Sequence, residues 1–148
     1  MRDFTISGIN HLGIAPKDPN KCSHFFKEIL GLKSLGEELV KEQKTLTVMF
    51  ASSNSQGPSE ARLELLVPEV DSGSESPIAK FLEKKGAGIH HVALTVDSVE
   101  KAISYLVSKG IRMIDTHPRR GAHGTSIAFI HPESTGGVLL ELVQEGKS

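Results

Sequence analysis

The sequence contains little of what would mark several common classes of protein. It has 1 cysteine, Cys22, so an intrachain disulfide and a multi-cysteine zinc or iron–sulfur site are excluded. No apolar run approaches the roughly 20 residues of a membrane-spanning helix, and the N-terminal stretch MRDFTISGIN lacks the apolar core of a signal peptide. The formal net charge of −1, from 17 Lys and Arg against 18 Asp and Glu, argues against a protein built to coat nucleic acid. We therefore expect a cytoplasmic protein with no membrane or nucleic-acid partner.

What is present is typical of a globular protein. The chain has 148 residues, of which 38% are hydrophobic and 24% charged. That length is enough for one domain, 1–148, with a sizeable core. The chain contains no Gly-x-Gly-x-x-Gly pattern, so we expect no dinucleotide cofactor.

Two stretches of the chain resemble each other closely. Residues 9–15 read INHLGIA and residues 89–95 read IHHVALT, with His11 and His91 at the same place in each. Both stretches have the apolar, β-branched character of strands, and each is followed by an aspartate and an amphipathic helix. Such self-similarity indicates an internal repeat.

The repeat continues to the end of each half. An apolar segment with one glutamate inside it closes each half, RLELLV around Glu64 and LLELV around Glu141. Each half therefore reads as strand, helix and then up to three strands. We predict two fused βαβββ modules, about 6–70 and 87–145, joined by a linker helix over about 76–86.

The helix that follows each opening strand should bury one apolar face, because its hydrophobic residues recur every three or four positions. In the first helix these residues are Cys22, Phe25, Phe26, Ile29 and Leu30. In the second they are Val99, Ala102, Ile103, Leu106 and Val107. Gly31 and Gly110 follow the two helices, where a left-handed residue commonly ends a helix.

The matched positions of the repeat carry metal-ligand side chains. His11 and His91 lie in the opening strands, and Glu64 and Glu141 lie within the apolar closing strands. A single strand histidine is more often structural, and a glutamate on an edge strand often faces water. All four at matched positions favour a shared site, because a buried carboxylate is costly without a cation or hydrogen bonds. Two imidazoles and two carboxylates suit a divalent ion of the Co, Ni, Zn, Fe or Mn group.

The chain resembles the vicinal oxygen chelate superfamily, and within it the methylmalonyl-CoA epimerases, nearly from end to end. Besides the opening and closing strands, the most specific stretches are SPIAKFL from Ser76, GIHH from Gly88, RGAHG from Arg120, IAFIHP from Ile127 and GGVLLEL from Gly136. The resemblance implies an α+β fold in which the two modules form a cupped, eight-stranded mixed sheet. It also implies a homodimer that takes a small-molecule acyl-CoA substrate.

The resemblance further implies an activity and its residues. The reaction moves a proton at C2 of methylmalonyl-CoA and interconverts the R and S forms through an enolate that a divalent ion stabilises. His11, Glu64, His91 and Glu141 would be the metal ligands, with Co²⁺ the expected ion and Ni²⁺, Mn²⁺ or Zn²⁺ as alternatives. Glu141 would also be the acid/base on one side of the substrate.

Two positions depart from the pattern of some bacterial epimerases. Those enzymes have Gln where this chain has Glu64, and they have a second basic Glu where this chain has Thr47. A hydroxyl is far too weak an acid to replace a carboxylate unaided. The second acid/base is therefore Glu64, a water molecule or another group, with Thr47 beside the substrate.

A basic, glycine-containing turn is the candidate for further substrate contacts. Arg120, Gly121 and His123 lie in it, next to Arg119, and these residues suit a phosphate or the substrate carboxylate. A solvated basic loop explains the same residues equally well.

Three other functions remain open from the sequence. A glyoxalase I, which isomerises a glutathione hemithioacetal, is favoured by Glu64, since its ligand set is His, Glu, His and Glu. A ring-cleaving dioxygenase uses two His and one carboxylate on Fe(II), and a fourth protein ligand would crowd its oxygen site. A ligand-binding member without enzyme activity is disfavoured by the four ligand-type residues.

Overall fold

The computed structural model describes residues 1–55, 60–70 and 75–146. In this part of the chain there are eight strands and three α-helices, together with short 3₁₀ and π turns. The strands are β1 (Ile6–Ala15), β2 (Lys33–Val40), β3 (Thr45–Ala51), β4 (Arg62–Pro68), β5 (Gly88–Val96), β6 (Arg119–Arg120), β7 (Ser126–Ile130) and β8 (Leu140–Gln144). The helices are α1 (Pro19–His24), α2 (Pro77–Lys85) and α3 (Val99–Ser108).

The strands belong to one mixed sheet with the order β2-β3-β4-β1-β5-β8-β7-β6. Strand β1 is parallel to β4 and β5 is parallel to β8, whereas the remaining pairs within each half are antiparallel. Each half consists of one strand, a helix and three strands, as the repeat predicts. The predicted α+β class and eight-stranded mixed sheet are confirmed.

The chain divides into two compact units, which we call the middle unit (His11–His90) and the terminal unit (Met1–Asn10 with His91–Ser148). Strands β1 and β5 each contribute residues to both. The prediction of a single domain over 1–148 stays a prediction. In the residues described, no helix is long and apolar enough to span a membrane.

The middle unit packs α2 against its strands. A small core of Ala15, Leu66 and Ile78 is covered by Phe81 and Leu82 of α2. Helix α2 begins and ends where the sequence indicates, because the Ser76 side chain accepts a hydrogen bond from the Ala79 backbone N–H and Gly86 ends the helix at φ 78°. His90 lies edge-to-face on Phe81, 4.9 Å between ring centroids, and is a packing residue of this unit.

The terminal unit contains the larger core. Its main cluster of buried residues is Val96, Val99, Ala102, Ile103, Met113, Ala128, Ile130 and Leu142. Val99, Ala102 and Ile103 of this cluster belong to the apolar face predicted for α3. Of the other two residues predicted for that face, Leu106 packs against the cluster and Val107 is exposed. Within this unit the buried Asn10 side chain of β1 donates hydrogen bonds to Thr95 Oγ1 at 3.1 Å and to Glu145 Oε1 at 2.6 Å.

The predicted buried face of the first helix is wrong for three residues. Phe25 is 47% exposed, Ile29 63% and Leu30 52%. The α-helix ends at His24 and continues as a π turn over Phe25–Ile29, with Leu30 N bonded to Phe25 O. A π turn has more residues per turn than an α-helix, so the predicted spacing no longer aligns these side chains on one face. Phe26 instead lies edge-to-face on Phe50, 5.5 Å between centroids.

Two strands have no clear signature in the sequence, and two predicted loops are partly outside the described residues. Strand β2 is largely exposed and irregular in register, and β6 has 2 residues, so neither shows a marked apolar pattern. The sequence predicts an exposed hairpin tip over the Ser-, Gly- and Pro-rich stretch 52–61 and a polar start of the linker over 68–76. Residues 56–59 of the first and 71–74 of the second lie outside the described residues.

Candidate functional site

The first His–Glu pair lies in the middle unit, on two parallel strands. His11 of β1 and Glu64 of β4 are 3.5 Å apart between Nε2 and Oε1. Gly13 is the register partner of Glu64, and Gly13 lies on the same face of β1 as His11 because strand side chains alternate. A glycine opposite the carboxylate leaves space for His11 and Glu64 to approach each other.

The second pair has the same construction in the terminal unit. His91 of β5 and Glu141 of β8 are 3.0 Å apart between Nε2 and Oε2. Ala93, two residues after His91, is the register partner of Glu141. The repeat seen in the sequence is therefore repeated in the structure, with a small residue two positions after each histidine and opposite each glutamate.

All four side chains are buried, at 4–6% exposure. A carboxylate removed from water requires a partner, and within each unit the imidazole is that partner. His11, His91 and Glu141 are each buried and offer one ligand atom of the type that metal ions take. Imidazole nitrogen and carboxylate oxygen are suitable donors for divalent first-row metals.

An aromatic ring adjoins the second pair. Phe129 of β7 is the register partner of Glu141, and its ring is edge-to-face with His91, 5.6 Å between centroids. The Arg119 guanidinium lies over the same ring. Sequence reasoning missed this contact, since Phe129 lies in a segment that reads simply as an apolar strand. The signal available in the sequence was its place in the apolar strand directly before the closing strand that carries Glu141.

Thr47 is buried on β3, and its hydroxyl has a structural partner. Its Oγ1 donates to the backbone carbonyl of Glu38, 3.1 Å away. Thr47 faces Leu66 across the β3–β4 pair, two positions from the pairing of Met49 with Glu64. Side chains two positions apart share a face, so Thr47 lies on the Glu64 face of this pair.

Arg120, Gly121 and His123 form one turn of the terminal unit. Arg120 and His123 are exposed, and His123 has a left-handed backbone with φ 57°. Gly121 is required for packing, because a Cβ there would lie 2.6 Å from Ile127 Cγ2 and 2.7 Å from Thr125 Oγ1. The turn closes through the Gly121 N–H to Thr125 O and through Thr125 Oγ1 to Ala122 O. Their role as substrate contacts remains a prediction.

Comparison with known proteins defines the class to which this fold and these pairs belong. Residues 10–129 match the model of the Glyoxalase/Bleomycin resistance protein/Dioxygenase superfamily, and the chain belongs to it. Within that superfamily it is a member of the methylmalonyl-CoA epimerase family. It is 37% identical over 142 residues to the mitochondrial methylmalonyl-CoA epimerase of Bos taurus, an alignment that covers 95% of this chain and 76% of the bovine protein.

Solved structures of this family have the same fold. The methylmalonyl-CoA epimerase of Mycobacterium tuberculosis is 34% identical with a TM-score of 0.86, covering 96% of this chain and 90% of that one. A variant epimerase of Streptomyces coelicolor, in complex with 2-nitronate-propionyl-CoA, is 31% identical with a TM-score of 0.87, covering 97% of this chain and 100% of that one. Methylmalonyl-CoA epimerases are isomerases, so the predicted enzyme class is confirmed.

Proposed function

We propose that this protein epimerises methylmalonyl-CoA at C2, using one divalent metal ion held by His11, Glu64, His91 and Glu141. The observation that carries the proposal is the presence of two buried His–Glu pairs at matched positions of the repeat. Family membership supplies the substrate class, since the Streptomyces relative holds an acyl-CoA analogue.

The donor set fits such an ion. Two imidazole nitrogens and two carboxyl oxygens are donors that suit a divalent first-row ion, and a buried carboxylate gains much from a cation. Co²⁺ is the expected ion, with Ni²⁺, Mn²⁺ and Zn²⁺ as alternatives. When bound, a divalent ion supplies a Lewis acid that lowers the energy of an enolate oxygen.

The two glutamates move the proton. Glu141, as the carboxylate, removes the C2 proton from one face of the substrate, and Glu64, as the protonated carboxylic acid, delivers its proton to the other face. Both carboxylates are buried, so the transfer is shielded from bulk water. Thr47 lacks this capacity because an alcohol is a very weak acid and its proton is already donated to the Glu38 carbonyl.

The remaining parts of the proposal concern binding and assembly. Arg120, Gly121 and His123 contact the substrate from their turn, and Thr47 lies beside it. The protein forms a homodimer, supported by apolar side chains of the middle unit that are exposed: Phe25, Ile29, Leu30 and Ile89. It works in the cytoplasm as one domain and has no nucleic-acid partner.

The test is proton NMR of methylmalonyl-CoA in D₂O, with Co²⁺-loaded protein and with chelator-treated protein. We expect deuterium uptake at C2 and interconversion of the epimers in the loaded sample, with exchange greatly reduced after chelation. If the chelator-treated protein takes up deuterium at C2 as fast as the Co²⁺-loaded protein, the metal-dependent mechanism is rejected, whereas the assignment as an epimerase is kept.

A glyoxalase I activity is the second candidate, because Glu64 completes a His, Glu, His, Glu set. The methylglyoxal–glutathione adduct is therefore assayed alongside. Turnover of that adduct without C2 exchange would make this protein a lactoylglutathione lyase. Inactivity toward both substrates would favour a ligand-binding member of the superfamily.

A further inference from the structure

One residue of the terminal unit adjoins the His91–Glu141 pair without belonging to it. Phe129 is the register partner of Glu141, and its ring lies edge-to-face with His91, at 5.6 Å and an interplanar angle of 87°. One side chain therefore adjoins both members of the pair. The position of the Phe129 ring limits the orientations that the His91 imidazole can adopt.

Phe129 is itself held by two charged residues. The Asp115 side chain accepts a hydrogen bond from the Phe129 N–H, 2.8 Å from Oδ2, and the Asp115 N–H donates back to the Phe129 carbonyl at 3.3 Å. The Arg119 guanidinium carbon lies 5.6 Å from the Phe129 ring centroid, within cation–π range.

The two charged residues also hold each other. Arg119 Nε is 3.1 Å from Asp115 Oδ1, an ion pair rather than an aligned hydrogen bond. One oxygen of Asp115 therefore holds the Phe129 backbone, and the other positions the cation over the Phe129 ring. The Asp115 side chain is largely buried, which limits the screening of this ion pair by water.

We propose that Asp115 and Arg119 are positioning residues that hold the Phe129 ring against His91 and so orient the His91–Glu141 pair for metal binding. This inference rests on the metal site of the proposed function. Neighbours that orient a metal-binding imidazole commonly change metal affinity when they are altered, although they do not contact the metal.

The test uses Arg119→Met, Asp115→Asn and Phe129→Leu, with Arg119→Lys as the conservative rescue. Arg112→Met is the matched control, because Arg112 forms an exposed ion pair with Glu133 in the same unit. Two measurements are made: the His91 ring-proton shifts in metal-free protein, and the Co²⁺ dissociation constant together with the visible spectrum of the bound ion.

We expect Co²⁺ affinity to fall about tenfold in Phe129→Leu and about threefold in Arg119→Met and Asp115→Asn. The His91 shifts and the Co²⁺ spectrum should change in the same variants, and Arg119→Lys should recover most of the affinity. Arg112→Met should match the wild type.

The inference is overturned if Arg119→Met and Asp115→Asn match Arg112→Met in both measurements. These two variants keep the test valid even if Phe129→Leu fails to fold. Wild-type protein that binds no Co²⁺ would reject the proposed metal site instead. In that case the His91 shifts of metal-free protein still decide whether Arg119 and Asp115 hold the ring.

Discussion

The two His–Glu pairs are alike in their ligands and different in their supports. In the middle unit Glu64 faces Met49 across the β3–β4 pair, and in the terminal unit Glu141 faces Phe129 across the β7–β8 pair. A methionine is a flexible filler, whereas an aromatic ring has few rotamers and a defined edge and face. The Nε2–carboxylate distance is 3.5 Å for the first pair and 3.0 Å for the second.

This difference teaches that the repeat retains the ligands and the strands that carry them, but not the side chain that faces each glutamate from the neighbouring strand. Burial, the small residue opposite each glutamate and the parallel strand pair recur in both units. The terminal unit adds an ordered aromatic support, so we expect the two pairs to contribute unequally to proton transfer, although both histidines are needed for metal binding.

The largest expected effect comes from removing either histidine. His11→Ala and His91→Ala should each lose stoichiometric Co²⁺ binding and C2 exchange, because each change removes one of the four ligands and weakens the binding of the ion. Equilibrium dialysis measures the metal content, and Co²⁺ should raise the melting temperature of the wild type but not that of either histidine variant. His24→Ala, on exposed surface, is the control. Full metal content in either variant would contradict the shared site.

Glu141→Gln should lower C2 exchange by about a thousandfold, because the amide cannot accept the substrate proton. Deuterium uptake followed by NMR gives the rate. The control is Glu133→Gln, an exposed glutamate of the same unit. Near-normal exchange in Glu141→Gln would remove this residue from proton transfer.

Glu64→Gln should have a smaller and one-sided effect. Some bacterial epimerases carry Gln here, so metal should be retained, while proton delivery to one face of the substrate falls by about a hundredfold. Exchange started separately from each epimer distinguishes the two faces. An equal reduction from both epimers would mean that Glu64 acts through the metal and not as the second acid.

The double variant Glu64→Gln, Thr47→Glu tests where the second carboxylate has to lie. It moves the carboxylate from Glu64 to position 47 on the same face of the sheet, as in those bacterial epimerases, and its C2 exchange should be about tenfold faster than that of Glu64→Gln. The recovery costs some stability, because Thr47 is buried and its bond to Glu38 O is lost. No recovery in a folded double variant would show that this position does not reach the substrate here.

The smallest expected effects concern the helix caps of the two units. Ser76→Ala and Ser98→Ala each remove a side-chain acceptor, for the Ala79 N–H of α2 and the Lys101 N–H of α3. Each should lower the free energy of unfolding by about 1 kcal/mol in urea titrations, without changing C2 exchange. Ser76 is fully buried, so its loss should be the larger of the two. A larger loss of stability in Ser98→Ala than in Ser76→Ala would contradict the argument that burial of the capping residue sets the size of the effect.

The amino-acid sequence by itself determined the features that depend on local periodicity. Alternation along the strands and the helix starts at Asp18 and Ser76 are read from neighbouring residues. The positions of the two histidines and two glutamates follow from comparing the halves of one chain. These patterns are local or repeated, and they predicted two modules of one strand, one helix and up to three further strands. The eight-stranded mixed sheet itself was implied by the family resemblance.

The tertiary structure alone decided the contacts between residues far apart in the chain. It turned Phe25 outward through a π turn, joined Asn10 to Thr95 and Glu145, and placed Arg119 over Phe129 beside His91. No periodicity of neighbouring residues encodes such contacts. They depend on which strands pair and in which register, and a shift of one residue would send each side chain to the other face of the sheet.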